Sequence, residues 1–138
     1  MSAHRFPVRV YYEDTDFSGA VYHANYLRFF ERGRSEALRA LGVHHRSLFE
    51  GADGAPPFAF VVRAMAIDYL VPALMDDCLE VETRTIEVRG ASARMAQRLL
   101  RGGLVLATAD VRIAAVSRGR AVRFPPAVRA AFDRSLQD

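Results

Sequence analysis

The sequence predicts an α+β fold of two layers, one long helix packed on one antiparallel sheet. Three observations carry that expectation. Residues 24–41 place apolar side chains at helical spacing. Most of the chain beyond residue 58 alternates apolar and polar residues as strands do. The turns between those runs are too short to join anything but antiparallel neighbours.

Taken in order, RFPVRVYY (Arg5 to Tyr12) reads as a first strand, and Pro7 within it argues for a sheet edge. Ala24 to Leu41 forms the helix: Tyr26, Phe30, Gly33, Ala37 and Leu41 recur at spacings of three and four, with Leu27 and Leu38 at the margins. Gly42 stands at the usual stop position. Gly33, in mid-helix, costs about 1 kcal/mol against alanine, which close approach of another backbone would explain. A loop follows at Gly51 to Pro57, then an apolar strand from Phe58 to Leu70 ending before Pro72. Leu79, Val81 and Thr83 alternate, and the phase then shifts to Ile86 and Val88, the mark of a bulge. Ser92 to Leu100 and Val105 to Ala115 are two further strands, parted by Arg101-Gly102-Gly103. A tight turn falls at Ser117 to Arg120, and Pro125-Pro126 opens a terminal helix, Ala127 to Gln137. One strand, a long helix, then four or five strands is the outline of a hotdog fold, a central helix wrapped by a curved antiparallel sheet of five or six strands. A sheet with one covering helix leaves edges open, so a homodimer or homotetramer is expected.

Length and composition narrow the classes. The 138 residues suit a single domain over residues 1–138. No apolar run approaches the roughly 20 residues of a membrane span, and MSAHRFPVRV lacks the apolar core of a signal peptide, so a cytoplasmic chain is expected. The one cysteine, Cys78, excludes an internal disulfide and reads as a packing residue. Net charge is +3, and all 19 basic residues are arginines. They are scattered among acids without a nucleic-acid motif, which argues against a nucleic-acid partner and leaves an arginine fork for phosphate. No histidine pair has zinc-ligand spacing, and neither a metal nor another cofactor is expected.

The stretch with the densest chemistry is EDTDFSGAVYHANY, residues 13–26. It crowds Glu13, Asp14 and Asp16 just before the helix. Free N–H groups at a helix start carry partial positive charge. One reading is that the acids only complement that charge. The other is a site for acyl transfer: a helix N–H donates to a carbonyl oxygen, and a carboxylate attacks or activates water. The Ser18-Gly19 turn can fold Asp16 beside the helix end without making it the capping residue. Residue chemistry alone leaves these two readings open.

The pattern Y-x-D-T-D-x-x-G-x-V-Y-H-x-x-Y over Tyr12 to Tyr26 resembles the signature of the acyl-CoA thioesterases related to 4-hydroxybenzoyl-CoA thioesterase, in particular the Tol-Pal-associated YbgC branch. The resemblance continues in FFERGRSEALRALG, FVVRAMAIDYLVPALMDDCLEVET and VRGASARMAQRL and so covers most of the chain. It implies the hotdog fold, an acyl-CoA substrate, and an active site at a dimer interface. It implies Asp16 as catalytic carboxylate, nucleophile or base, and the backbone N–H of His23 as the carbonyl's donor; the imidazole of His23 orients water or holds the loop. Tyr22, Tyr26 and Phe60 are expected to bind the substrate, with Phe17 and Phe58 also shaping the pocket. Arg89 falls at a position for the CoA phosphates, with Arg118 and Arg120 as alternatives. Gly90 and Ala91 stand where the benzoyl-type relatives carry basic residues, which argues against a 4-hydroxybenzoyl substrate. Glu31 and Glu36 occupy the helix region where another hotdog branch carries its acid; surface ion pairing with Arg28, Arg32, Arg34 and Arg39 is the simpler account here. The alternatives are a non-catalytic module for acyl-CoA or acyl carrier protein, and a partner protein of cell-envelope machinery.

Overall fold

The computed structural model describes residues 3–51 and 56–136. Six strands form one antiparallel sheet in the order β1-β3-β4-β5-β2, with β6 paired to β5. They are β1 His4–Arg9, β2 Ala59–Tyr69, β3 Cys78–Val88, β4 Ser92–Arg101, β5 Leu104–Ser117 and β6 Arg120–Ala121. The helices are α1 Asn25–Ala40, α2 His45–Glu50 and α3 Pro126–Ser135. This is the hotdog arrangement that the order of elements predicts. Part of the loop expected at Gly51 to Pro57 and the end of the terminal helix at Gln137 lie outside the described residues.

Pro7 sits where the sequence places it, in the edge strand β1, which pairs with β3 alone. The phase shift in β3 is a register change against β4 between Thr85 and Glu87. The predicted turn after β5 is built from Arg118 and Gly119, both at positive φ. One element carries no sequence signal and one expectation fails. The short helix α2 precedes the expected loop, and six residues are too few to show a helical period. Cys78 is exposed at the first position of β3 and so is not a packing residue.

The concave face of the sheet closes over α1. Tyr26, Phe29, Phe30 and Leu38 of α1 meet Val81, Met95, Leu99, Val111 and Ile113 in one apolar core. Phe29 replaces Leu27 on the buried face, since Leu27 is exposed. Arg34, expected among the surface ion pairs, is also buried, and only Glu36 with Arg39 forms an ion pair within α1 among the described residues. The helix is pressed against β3 at Gly33. A Cβ added there would lie 2.3 Å from Val81 Cγ1 and 2.9 Å from Val81 Cβ. The mid-helix glycine therefore lets backbone and branched side chain meet, as its position in the pattern suggests.

The Gly33→Ala variant is expected to lose about 1–3 kcal/mol of stability through overpacking, although alanine is the better helix former by about 1 kcal/mol. Urea denaturation measures the loss. A double-mutant cycle with Val81→Ala isolates the clash, and strictly additive losses would remove that contact as the cause.

Candidate active site

Between β1 and α1 the chain makes a single 3-10 turn, Tyr12–Asp14, and then a small hairpin. Thr15 bridges Val21 across it, the N–H of Asp16 donates to Ala20 O at 3.0 Å, and Gly19 turns the tip at φ +84°. Only a residue without Cβ enters that region freely. The hairpin docks on residues 73–75, through Val21 N–H to Ala73 O at 2.8 Å and Met75 N–H to Gly19 O at 3.2 Å.

The carboxylates of this stretch separate by environment. Asp14 is 7% exposed. Its oxygens accept from Tyr11 N–H at 2.8 Å and Asn25 Nδ2 at 2.5 Å, and its carbonyl accepts from Tyr22 N–H at 2.9 Å. It ties the 3-10 turn to the first residue of α1. Glu13 is exposed. Asp16 is exposed at the hairpin tip, where its Oδ1 accepts from Ser18 Oγ at 2.5 Å and from Ser18 N–H at 2.8 Å. This Asx-turn pins the carboxylate. Its Oδ2 has no partner among the described residues. The Ser18 hydroxyl, then the Ser18 N–H, hold the Asp16 carboxyl below its usual range; partial desolvation opposes them and the charge of His23 adds to them. Asp16 is thus an anion within electrostatic reach of His23.

The start of α1 carries no side-chain cap. The N–H groups of His23 and Ala24 find no acceptor among the described residues, so they remain free to receive an incoming oxygen. The carbonyl of His23 is fixed instead, accepting from the Tyr69 hydroxyl at 2.9 Å. The imidazole is exposed and packs at a tilt of 53° against Tyr22, ring centroids 4.6 Å apart. Tyr69 closes β2 and stands edge-on to both His23 and Tyr26, at 6.4 and 5.0 Å. Sequence reasoning missed Tyr69. Its only signal is its place at the end of an apolar strand, just before Leu70-Val71-Pro72.

Asp16, Tyr22 and His23 therefore share one end of the molecule. Tyr26 lies beneath them, but at 4% exposure it belongs to the core. Its hydroxyl accepts from Ala73 N–H at 2.9 Å, so it supports the segment under the hairpin and is not placed to touch a ligand. Phe60 and Arg89 do not join this group within one chain. Phe60 is nine positions from Tyr69 along β2, roughly 30 Å at 3.3 Å per residue. It packs with His45, Phe58, Phe124 and Phe132. Arg89 lies in the β3–β4 turn at that same far end, exposed and ion-paired with Glu87. Among the described residues no group of three or more His, Cys, Asp or Glu is arranged for a metal ion.

Comparison with known proteins bears on this geometry. Residues 10–132 match the model of the thioesterase-like superfamily. The chain is 52% identical to "Acyl-CoA thioesterase YbgC" of Haemophilus influenzae over 92% of each sequence. It is 48% identical to "Acyl-CoA thioester hydrolase YbgC" of Escherichia coli, over 70% of this chain and 68% of that protein. A probable thioesterase from Bartonella henselae superposes with a TM-score of 0.86 at 46% identity, covering 90% of this chain and 100% of that one. A thioesterase from Thermus thermophilus solved with coenzyme A and zinc superposes with a TM-score of 0.79 at 28% identity, over 94% and 91% of the two chains.

Removing the Ser18 hydroxyl tests the hold on Asp16. In Ser18→Ala the titration midpoint of the Asp16 carboxyl, followed by carbon-13 NMR, is expected to move to higher pH. An unmoved midpoint would show that the hydroxyl does not set it.

Proposed function

The chain belongs to the thioesterase-like superfamily and is a thioester hydrolase; from that premise we propose that it hydrolyses acyl-CoA with Asp16 and the open end of α1 as the reacting pair. The observation that carries the reading is the pairing itself: a pinned, ionised carboxylate beside a helix start whose His23 N–H has no partner. A thioester carbonyl set against that N–H gains a donor as its oxygen becomes anionic, and the helix end adds favourable charge. Asp16, through its free Oδ2, either attacks the carbonyl carbon or takes a proton from a water that attacks. In both routes a C–O bond forms, the C–S bond breaks, and CoA leaves as the thiolate. Water completes the nucleophilic route by opening the acyl-aspartyl bond. The depressed carboxyl pKa keeps Asp16 charged at neutral pH. Activity on this account is present above the Asp16 pKa and is lost as pH falls through it.

The working unit in this reading is at least a homodimer. β2 is one open edge of the sheet, and Val61, Val62 and Tyr69 are exposed along it, with Leu70 exposed just beyond. Two copies paired antiparallel through β2 would set the Asp16 end of one beside the Phe60 end of the other. That brings together the residues that one chain holds roughly 30 Å apart. Arg89 is the candidate for the CoA phosphates. Arg123 lies over Gly90 and Arg129 Nη1 donates to the Arg89 carbonyl, so three arginines border that turn.

Asp16→Asn is expected to lower kcat at least about a hundredfold with fold and assembly intact, the scale of a lost acid–base group. His23→Ala should cost less, since the backbone donor survives; a larger loss would assign the imidazole a reacting role. Both are read by release of free thiol from a panel of short, long and aromatic acyl-CoA esters. Val62→Arg on the β2 edge is expected to give a monomer by sedimentation and to lose turnover with it. An active monomer would dismiss the shared site.

A further inference from the structure

The middle of α1 carries a second polar feature. Arg34 is 7% exposed, yet its only hydrogen bond among the described residues runs from Nη1 to Gln97 Oε1, at 3.0 Å. No described carboxylate comes within 4.0 Å of it. Gln97 is itself satisfied, donating to Phe30 O and Thr83 Oγ1 at 2.9 and 3.0 Å. A guanidinium has five N–H donors, so most of this one's capacity is unused. A buried cation is costly to keep, and Glu31 offsets that cost only through its charge, without a hydrogen bond.

The unused donors border a cavity. Arg34 lines a space of about 90 Å³ between α1 and β2, together with Glu31, Ser35, His45, Phe60 and Val62. The walls are mixed: Phe60 and Val62 are apolar, and Ser35 offers a hydroxyl. His45 is held toward its neutral form, first by burial and then by Arg39. Glu31 is exposed and forms no ion pair with Arg34. A cavity with apolar side chains on one wall and a buried guanidinium with unused donors on another matches an acyl chain with an anionic end.

We propose that this cavity receives the far end of the acyl group, and that Arg34 selects chains ending in a carboxylate. The proposal rests on the acyl-CoA reading above and names the substrate class within it. In the paired arrangement, the cavity of one copy lies on the β2 side that faces the Asp16 end of the second. The scissile carbonyl then sits at the helix start of one copy while the terminal carboxylate reaches Arg34 of the other. CoA phosphates, by contrast, belong with the exposed arginines near Arg89.

The test compares adipoyl-CoA with hexanoyl-CoA, equal in carbon number and different only at the end. Arg34→Met is expected to lower the ratio of kcat/KM for adipoyl over hexanoyl at least tenfold. Glu31→Gln, at an exposed position that does not endanger folding, should raise the same ratio severalfold by removing a like charge from the mouth. Affinities of both esters for Asp16→Asn protein, measured by calorimetry with and without the Glu31 change, read the site independently of turnover. Hydrolysis of hexanoyl-CoA with adipoyl-CoA discriminated against equally in all variants, or equal affinities in the slowed protein, would overturn the assignment. Failure to hydrolyse either ester would count against the catalytic reading instead, and the affinity ratio would still decide the role of Arg34.

Discussion

The carboxylate of Asp14 is the constraint on which the site depends. By accepting from the Tyr11 N–H and from the Asn25 amide, it joins the exit of β1 to the entry of α1. Its own backbone carbonyl then receives Tyr22 N–H, which fixes the residue just before the helix start. The consequences run in two directions. The hairpin between those anchors is held short, so Asp16 is carried to its tip near the helix end. The helix, meanwhile, carries no side-chain cap, and the N–H groups of His23 and Ala24 at its entry stay open. One acid is consumed by architecture so that its neighbour two residues on can remain a free anion.

A second layer of contacts holds the helix entry from below. Tyr69 anchors the His23 carbonyl and Tyr26 anchors Ala73. Asp77 steadies the same segment, accepting from Leu74 N–H at 2.9 Å and pairing with Arg101 at 2.6 Å. These are ordinary hydrogen bonds, each worth on the order of 1 kcal/mol. Their value lies in what they hold: the His23 carbonyl and the segment from Ala73 to Asp77 beneath the hairpin. Within one chain the hairpin and helix entry stand at one end of β2, while the cavity beside Arg34 and the arginines around Arg89 stand toward the other.

Much of this was legible in the sequence, for physical reasons that differ by element. The helix and the long strands announce themselves because each buries one face, and burial imposes a period. Pro7 and the phase shift after Thr83 gave an edge and a bulge because both disturb hydrogen-bond ladders in characteristic ways. The site stretch was legible as chemistry near a helix start. The family pattern within it, not spacing, separated Asp16 from Asp14, because both are aspartates within reach of the same turn. Tertiary contact decided the rest. Tyr69 meets His23 across 46 positions, a distance no local pattern encodes. Arg34 sits in a charged run whose spacing is that of a solvated face, yet it is buried because the helix is pressed against the sheet at Gly33. Tyr26 has the residue type of a pocket wall and the surroundings of a core residue. Phe60 and Arg89 stand at the far end of β2 from the Asp16 hairpin, a separation that one sequence does not display.

The interruption in β2 has a further meaning. Its register against β5 breaks between Val62 and Ala64, leaving Arg63 outside the regular ladder, and Asp68 adds an opposite charge near the other end. An edge strand with a kink and two fixed charges is a poor template for arbitrary strands. In the paired arrangement proposed above, its match would be a strand that carries the same kink and the same charges in reverse order, which is another molecule of the same sequence. The irregularity would then work as a password, admitting kin to that edge and turning away the many foreign segments a crowded cell would offer.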